Sequence, residues 1–323
     1  MSIRSLMQRF LVTRPRPDGA RGFEEVVQAT SQSDDYPVPP KQVAEKGYLA
    51  ICAIMKNETI GILEWIAYHR ALGVERFFLY DNGSDDDTIL KIDALIHSGI
   101  IELIDWPKKP GQLSAYDDFA ARHRDDWTWC AFIDLDEFIN PFGFNNIVDW
   151  LGQFDDRSGV AIQWVNFGPN NQDDPPRLAT EAYRTRFPDL HAIHGHVKTI
   201  VKMAKYDRAL SPHSFLVTDG EIVDEHNREV VRQGAEYAIQ EPMHHDQVCL
   251  NHYYTRSRSE WWIKMNRGRA DTGDTTSHSR NAEWLQIYED EAVYPDDRIV
   301  KFAPNVSSML EELDKIRIER IDL

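Results

Sequence analysis

The sequence predicts an α/β fold, with a Rossmann-like, mainly parallel central sheet flanked by helices and with further helices at the C-terminus. Two observations support this prediction. Apolar, strand-like runs alternate with helix-like segments from Tyr48 onward, which is the pattern of βαβ units. Clusters of acidic and amide residues follow several of the strand-like runs. Ligands of parallel α/β sheets bind beyond the carboxyl ends of the strands, so we expect a site there.

Local patterns define the elements of the first half of the chain. The continuous apolar run YLAICAIM (48–55) is typical of a buried strand, and TIGILEWIAYHRAL (59–72) places Ile62 and Ile66 on one side, as a helix does. Gly99 is a typical residue at a helix end. The predicted order is strand 48–55, helix 59–72, strand 76–80, turn 81–84, helix 87–99, strand 100–106, helix 113–124 and strand 127–135.

Composition divides the chain into three segments. Residues 1–46 are rich in Arg, Pro and Ser and are predicted to form an N-terminal extension and linker. Residues 47–275 contain the alternating strands and helices and form the predicted α/β domain. Residues 276–323 are predicted to be a helical extension, because charges of both signs recur at helical spacing, as on a solvated helix face.

Charge and cysteine content narrow the class of protein. The formal net charge of −17 argues against a nucleic-acid partner, although a bound cation would still permit a phosphorylated ligand. Of three scattered cysteines, Cys52 and Cys130 lie in apolar runs, which indicates buried thiols in a reducing compartment, so we expect a cytoplasmic protein.

No run approaches ~18 consecutive apolar residues, so we expect no transmembrane helix. The five Arg among residues 1–23 are compatible either with peripheral contact at the inner face of a membrane or with a solvated tail.

Acidic and amide side chains follow three of the predicted strands. Because these strand ends meet at one sheet edge, the carboxylates would repel one another unless a cation were bound between them. Mg²⁺ and Mn²⁺ prefer carboxylate oxygen and bind together with substrate phosphates. We therefore predict a divalent cation at Asp134 and Asp136; the alternative is a turn or capping cluster before EFINPF. The converging residues are Asn57, Glu58, Asp81, Asn82, Asp85, Asp86, Asp134 and Asp136.

Several sequence blocks resemble the glycosyltransferases of the GT-A fold, in particular the family-2-like and family-92 groups. The blocks follow one another in the family's order over residues 47–271. The resemblance implies a GT-A-like glycosyltransferase domain within residues 47–275. The blocks are AIMKNETIGILEWIAYHRALGVERFFLYDNGSDDDT (53–88), FIDLDEF (132–138), IQWVNFGPN (162–170), HVKTIVK (196–202) and LNHYYTRSRSEWWIKMNRGRAD (250–271).

The resemblance implies a transferase that moves a sugar from a nucleotide-sugar donor, expected to be a UDP-sugar, to a saccharide or glycan acceptor with inversion, as in polysaccharide biosynthesis. It implies that Asp134-Leu135-Asp136 binds Mn²⁺ or Mg²⁺, with Asp136 on the metal and Asp134 on the metal or the ribose. A metal that bridges both phosphates neutralises the charge that develops on a nucleoside diphosphate leaving group. Lys198 is predicted to face the diphosphate; the alternative is a solvated strand lysine.

The nucleotide is expected to contact the residues that follow the first two strands. Asp81 and Asp85 are predicted to accept hydrogen bonds from the base or ribose. Asn57 and Glu58 belong to the same predicted nucleotide site. The family usually has two acids before Gly-Ser, whereas the second position here is Asn82, so base or ribose recognition should differ in detail.

The same resemblance assigns the third metal ligand. His252, in the strand-like VCLNHYY, matches the family's ligand, and imidazole suits Mn²⁺; the alternative is a core histidine. His213, in SPHSF, competes for the role. The segment HAIHGH (191–196) has no cysteine or acid at ligand spacing, so no separate zinc site is expected there.

An inverting transfer needs a base that takes the proton of the acceptor hydroxyl, and a carboxylate is the usual group. Asp173 and Asp174 in NFGPNNQDDPP are the candidates, because this loop follows a strand after the metal motif. The alternative for both is a solvated turn, and Asp271 is the next candidate. The aromatic residues that are candidates for stacking on sugars are Trp164, Phe167, Trp261 and Trp262. For Trp261 and Trp262 the alternative is the core side of a helix over 258–268.

Two other function classes share the acidic strand ends. A sugar nucleotidyltransferase would make pyrophosphate from nucleoside triphosphates and sugar phosphates, whereas a glycosyltransferase releases UDP from a UDP-sugar. A non-catalytic nucleotide- or sugar-binding module would bind a donor without transfer or hydrolysis, even with Mn²⁺ present. These reactions therefore separate the three classes.

Overall fold

The structure is a computed structural model. The predicted N-terminal extension, residues 1–46, lies outside the described residues except for Lys46, and the predicted boundary at residue 275 lies outside them too. Both boundaries stay predictions. None of the helices in the described part combines the length and the apolar character that a membrane span requires. The described residues are 46–230, 232–233, 237–238, 243–267 and 281–321.

Within the described residues the chain forms fifteen strands and eight α-helices. The strands are β1 Gly47–Met55, β2 Arg76–Asp81, β3 Ile101–Asp105, β4 Trp127–Phe132, β5 Glu137–Pro141, β6 Gly159–Asn166, β7 Thr185–Arg186, β8 Val197–Lys202, β9 Tyr206–Ala209, β10 Phe215–Val217, β11 Ile222–Val223, β12 Arg232–Gln233, β13 Tyr237–Ala238, β14 Val248–His252 and β15 Tyr294–Pro295. The helices are α1 Ile62–Ala71, α2 Thr88–His97, α3 Gln112–His123, α4 Ile147–Leu151, α5 Ala179–Ala182, α6 Arg258–Arg267, α7 Ala282–Glu291 and α8 Ala303–Ile321.

Nine of the described strands form one sheet, in the order β3-β2-β1-β4-β8-β6-β14-β5 with β11 beside β6. β1 pairs in parallel with β2 and β4, β2 with β3, and β6 with β14 and β11. β8 and β5 run antiparallel to their neighbours. The predicted α/β architecture, with a mainly parallel central sheet, flanking helices and C-terminal helices, is confirmed.

The sheet buries both faces of β1. Leu49 and Ile51 lie in one hydrophobic cluster, together with Trp65 of α1. Cys52 lies in a second cluster on the other face, together with Phe119 of α3. A strand that is covered on both faces has no polar face, which explains the unbroken apolar run that predicted it.

The chain turns sharply after β4. This strand ends at Phe132, so the predicted extension to residue 135 is wrong. The Glu137 N–H donates to the Asp134 carbonyl (3.1 Å), and the Asp134 N–H donates to Oε2 of Glu137 (2.8 Å), which closes the turn. The chain returns as β5, whose antiparallel pairing with β14 sets Glu137 opposite His252. The register thus brings the turn with its three acids, Asp134, Asp136 and Glu137, beside His252.

Side chains of α1 hold β5 in place. Trp65 donates from Nε1 to the Glu137 carbonyl (2.9 Å), and the Tyr68 hydroxyl donates to the Ile139 carbonyl (2.7 Å). His69 accepts the Ile139 N–H at Nε2 (3.3 Å) and donates from Nδ1 to the Trp65 carbonyl (2.8 Å). Burial lowers the pKa of His69 to about 3, so its ring is neutral at physiological pH.

The predicted C-terminal helices are observed as α7 and α8. Helix α8 packs against α1 and α2, and its Val306 and Leu313 are buried in the same hydrophobic cluster as Trp65. Arg320 near its end pairs with Asp93 of α2 at 2.6 Å. The last helix is therefore part of the core around α1.

Candidate active site

The loops after β1 and β2 meet at the carboxyl edge of the sheet. Asn57 donates from Nδ2 to Oδ1 of Asp85 (2.7 Å), and the Asp85 N–H donates to Oδ1 of Asn57 (2.9 Å). The Asn57 N–H donates to the Ser84 hydroxyl (3.0 Å), and Asn57 has a left-handed φ of 54°. The structure thus brings Asn57 and Asp85 together as a clamp between the two loops.

Asp81 and Asn82 shape the loop after β2. The Asp81 carboxylate accepts the Ser84 hydroxyl (2.6 Å) and the Ser84 N–H (3.1 Å). Asn82 is buried and donates from Nδ2 to the carbonyls of Trp106 (2.7 Å) and Lys108 (2.8 Å). A carboxylate has no hydrogen to donate to two carbonyls. The local structure therefore explains why an amide stands where the family usually has a second acid.

We expect Asn82→Asp to lower the free energy of unfolding by ~1–3 kcal/mol, because both carbonyls would lose their donor and face a buried carboxylate. Urea unfolding at neutral pH measures the change. Asn305→Asp, at an exposed position of α8, is the matched control and should leave stability unchanged. Equal stabilities for the two variants would show that the Asn82 amide is dispensable.

Glu58 is buried against two guanidinium groups. Arg267 Nη1 lies 2.5 Å from Oε1 of Glu58, and Arg256 Nη1 lies 3.3 Å from Oε2. Arg256 also donates to the Leu135 carbonyl (2.7 Å), inside the acidic turn. Glu58 therefore holds the guanidinium groups of Arg256 and Arg267 at the sheet edge.

Sequence reasoning missed Arg256, which precedes α6, and the basic residues Lys264 and Arg267 on one face of that helix. Glu260, Lys264 and Arg267 are spaced by four and three residues and so lie on one helix face. That spacing is a sequence signal, but it is also typical of a solvated face. In the structure the Lys264 side chain is only 9% exposed, so this face points into the site.

Asp134 lies between a lysine and an amide. Lys198 of β8 places Nζ 2.8 Å from Oδ2 of Asp134, and Gln112 donates from Nε2 to Oδ1 (2.9 Å). The Lys198 side chain is 1% exposed, so the alternative of a solvated strand lysine is wrong. Its contact with a diphosphate stays a prediction.

Glu137, the third acid of the turn, is completely buried. Burial and the negative charges of Asp134 and Asp136 raise its pKa well above the usual value, although Lys198 Nζ lies 3.8 Å away and opposes the rise. Glu137 therefore binds a proton far more readily than an exposed glutamate. This lessens the repulsion between three acids that lie within four residues.

Asp136 faces a lysine and a histidine. Its Oδ2 contacts Nζ of Lys264 and lies 3.7 Å from Nε2 of His252. Burial alone would raise the pKa of Asp136, but the positive charges of Lys264 and Arg256 hold it well below the usual value. The group is therefore a carboxylate over the whole physiological range.

The hydrogen bonds of His252 fix which nitrogen faces Asp136. Asn166 donates from Nδ2 to the Ile193 carbonyl (3.0 Å), which leaves its Oδ1 to accept from Nδ1 of His252 (3.0 Å). Nε2 then carries the lone pair and points towards Asp136. Burial lowers the pKa of His252, against the opposite effect of Asp136. A neutral imidazole whose other nitrogen is held by a polar partner is the usual form of a metal-binding histidine.

Asp136 and His252 fit a divalent cation by their chemistry, since carboxylate oxygen and imidazole nitrogen together suit Mn²⁺. Asp134 is placed differently, because Lys198 and Gln112 hold both of its carboxylate oxygens. The structure thus brings Asp136 and His252 together. Asp134, in the same turn as Asp136, is paired with other residues.

A different trio of potential ligands lies before β14. Among the described residues, His226, His244 and Asp246 are the trio whose ligand atoms all lie within 4.8 Å of one another. Arg228 places Nη1 2.8 Å from Nε2 of His244, so a positive charge already occupies this cluster. The trio precedes Val248, the first residue of β14, whereas His252 is the last.

The predicted catalytic bases lie on the surface. Asp173 is exposed and its Oδ1 lies 2.7 Å from Nη1 of Arg258, at the start of α6. Asp174 is also exposed. Asp271 lies outside the described residues. The assignment of a base to Asp173 or Asp174 stays a prediction.

His213 and Trp164 lie behind the predicted metal ligands. The Trp164 ring centroid is 4.2 Å from that of His252 and 5.1 Å from that of His213. His213 is buried and donates from Nδ1 to a backbone carbonyl of β8 (2.9 Å). Phe167 and Trp261 are fully buried, so the core alternative is right for Trp261, and Phe167 is a core residue as well.

Comparison with known proteins identifies a family. The family model described as Glycosyltransferase family 92 matches residues 48–286. A glycosyltransferase family 92 protein of Ricinus communis is 29% identical over 246 residues, which are 68% of this chain and 42% of that protein. One from Oryza sativa subsp. japonica is 29% identical over 151 residues, 44% of this chain and 26% of that protein. The chain thus spans less than half the length of these curated relatives.

Two solved structures resemble part of the chain. S. aureus TarS 1–349 is 13% identical, with 50% of this chain and 51% of that chain covered and a TM-score of 0.33. Glucosyl-3-phosphoglycerate synthase from Mycobacterium tuberculosis, in complex with phosphoglyceric acid, is 18% identical, with 50% and 58% covered and a TM-score of 0.31. The likeness to both is partial.

Proposed function

Because this chain belongs to glycosyltransferase family 92, we propose that it transfers a sugar from a UDP-sugar to a saccharide acceptor, with inversion and with Mn²⁺ or Mg²⁺ as cofactor. The observation that best supports this proposal is the pairing of Asp136 with a His252 whose Nε2 lone pair faces it. Family membership supports glycosyl transfer, whereas the donor, the metal and the stereochemistry are proposals.

The proposed roles follow from the contacts. Asp136 and His252 hold the metal, and Asp134 joins them or contacts the ribose. When bound, the metal neutralises charge on the departing diphosphate. Arg256 and Arg267 add positive charge at the same edge, since Glu58 fixes both guanidinium groups there.

The nucleoside end of the donor is proposed to lie along the loops after β1 and β2. The clamp of Asn57 and Asp85 and the turn at Asp81 preorganise these loops, so a ligand would meet fixed polar groups. Lys198, which pairs with Asp134, is proposed to face the diphosphate. Asp173 and Asp174 are the proposed bases on the acceptor side.

We propose a cytoplasmic location, with peripheral membrane contact through the basic N-terminal segment. Cys52, Cys130 and Cys249 are buried free thiols, which is compatible with a reducing compartment. Fractionation of cells that express the full chain, with and without high salt, tests this proposal.

The test of the function is a reaction screen. The protein is incubated with UDP-sugars, Mn²⁺ and candidate saccharides, and in parallel with nucleoside triphosphates and sugar phosphates. Release of UDP that stops on addition of a chelator supports the proposal. Pyrophosphate formation would instead indicate a nucleotidyltransferase, and donor binding without turnover would indicate a binding module.

His252→Ala should weaken Mn²⁺ binding by at least about tenfold, because it removes the nitrogen ligand. Calorimetric titration of Mn²⁺ with UDP present measures the affinity, and the melting temperature of each protein is recorded beside it. His97→Ala, at an exposed position on α2, is the control and should bind Mn²⁺ like the wild type. Unchanged Mn²⁺ affinity with a lower melting temperature would show that His252 is a core residue and would make His213 the candidate ligand.

A further inference from the structure

Lys264 contacts the carboxylate oxygen that a metal would need. Its Nζ contacts Oδ2 of Asp136, the oxygen that lies 3.7 Å from Nε2 of His252. The same ammonium donates to the Tyr254 carbonyl (2.7 Å) and lies 4.2 Å from the centre of the Tyr254 ring. Lys264 therefore supplies the positive charge for a carboxylate that is predicted to bind a divalent cation.

The oxygen of Asp136 that faces His252 is already occupied by the ammonium of Lys264. The crevice that Asp136 lines together with Arg256, Lys264 and Arg267 has a volume of about 30 Å³, room for a water or two beside these side chains. A divalent cation that bound this oxygen would therefore displace the ammonium.

We propose that Lys264 is a diphosphate-binding residue that couples metal binding to nucleotide binding; this rests on the proposed function. A divalent cation alone would displace the ammonium into a crevice whose other carboxylates, Glu58 and Glu260, already pair with the two arginines. The displaced ammonium would then lose the negative charge that Asp136 supplies. A nucleoside diphosphate brings the negative charge that receives the displaced ammonium. The flexible four-carbon stem of lysine permits this movement. Metal and diphosphate therefore strengthen each other's binding, and do so reciprocally.

The test compares wild type with Lys264→Met in the full chain. Calorimetry measures Mn²⁺ affinity without and with saturating UDP. We expect Lys264→Met to bind Mn²⁺ alone about tenfold more tightly than wild type, and to gain less Mn²⁺ affinity from UDP than the wild type gains. Lys205→Met is the matched control, because Lys205 pairs with the exposed Asp219 at 2.8 Å, and should leave both affinities unchanged.

A second variant shows whether the result for Lys264→Met comes from the lost charge or from misfolding. Lys264→Gln removes the charge but keeps a donor for the Tyr254 carbonyl, and we expect the same tighter binding of Mn²⁺ alone. Mn²⁺ should also raise the melting temperature of both variants more than that of wild type. Unchanged or weaker Mn²⁺ binding by both variants would overturn the proposed role of Lys264 but not the proposed function. Absence of Mn²⁺ binding by every protein, with or without UDP, would overturn the proposed metal-dependent function as well.

Discussion

Asp136→Asn should lower kcat for sugar transfer by about 10²–10³-fold, the range seen when one group that stabilises developing charge is removed. The change keeps the size of the side chain and its place in the turn, but it removes the anionic oxygen that faces both Lys264 and His252. Metal affinity should fall with turnover, because an amide oxygen is a weaker ligand than a carboxylate. Single-turnover release of UDP at saturating Mn²⁺ measures the effect.

The control for this variant is Asp219→Asn, which removes a carboxylate from an exposed pair with Lys205. It should leave kcat and metal affinity at the wild-type level. If Asp136→Asn also keeps the wild-type kcat, Asp136 is a structural partner of Lys264 and the metal has to be sought elsewhere. Circular dichroism of both variants shows whether the fold is retained.

Acid should destabilise the protein through His69, by about 2 kcal/mol between pH 7 and pH 5. In the unfolded chain His69 takes up a proton as the pH falls through its ordinary value of 6.5, whereas in the folded chain burial lowers its pKa to about 3. Between these values the unfolded state binds more protons, so the free energy of unfolding falls as the pH falls. Both ring nitrogens are already used, one by Trp65 and one by Ile139, so a protonated ring would lose a hydrogen bond.

Urea unfolding of wild type and His69→Gln at pH 7, 6 and 5 measures this contribution. The comparison uses the slope of free energy with pH, since His69→Gln also changes packing. We expect the slope of the variant to be smaller by nearly one proton, about 1.4 kcal/mol per pH unit near pH 5. Identical slopes for wild type and His69→Gln would mean that the His69 ring titrates normally.

The sequence predicts the elements best where burial is uniform. The run 48–55 was placed within one residue of β1, because a strand covered on both faces leaves a continuous apolar signal. The end of β4 was misplaced by three residues. Ile133 and Leu135 are buried in the turn and look like strand residues, whereas hydrogen bonds of Asp134 and Glu137 decide where the strand stops.

β5 was not predicted for a related reason. It has only five residues, and its partner β14 begins more than a hundred residues later, so no local pattern reveals the pairing. That same pairing brings Asp136 and His252 to 3.7 Å. The sequence could nominate both residues by type and by resemblance, but their proximity depends on the register of two distant strands.

The basic side chains around the site were harder to predict. Lys264 and Arg267 follow the spacing of a solvated helix face, and only tertiary packing turns that face inward. Lys198 was predicted to lie in the site, yet its nearest partner is Asp134, an acid of the same site. Residue type and strand position were informative, whereas the choice of ion-pair partner depends on three-dimensional distances.

The bonds from α1 to β5 have a consequence for self-association. β5 is the last strand of its sheet, and an exposed edge strand offers free backbone groups to strands of other molecules. Here Trp65, Tyr68 and His69 occupy the outward backbone groups of Glu137 and Ile139. A foreign strand would have to displace three buried side chains before it could pair. The helix that positions the acidic turn therefore also protects this end of the sheet from intermolecular β-pairing and aggregation.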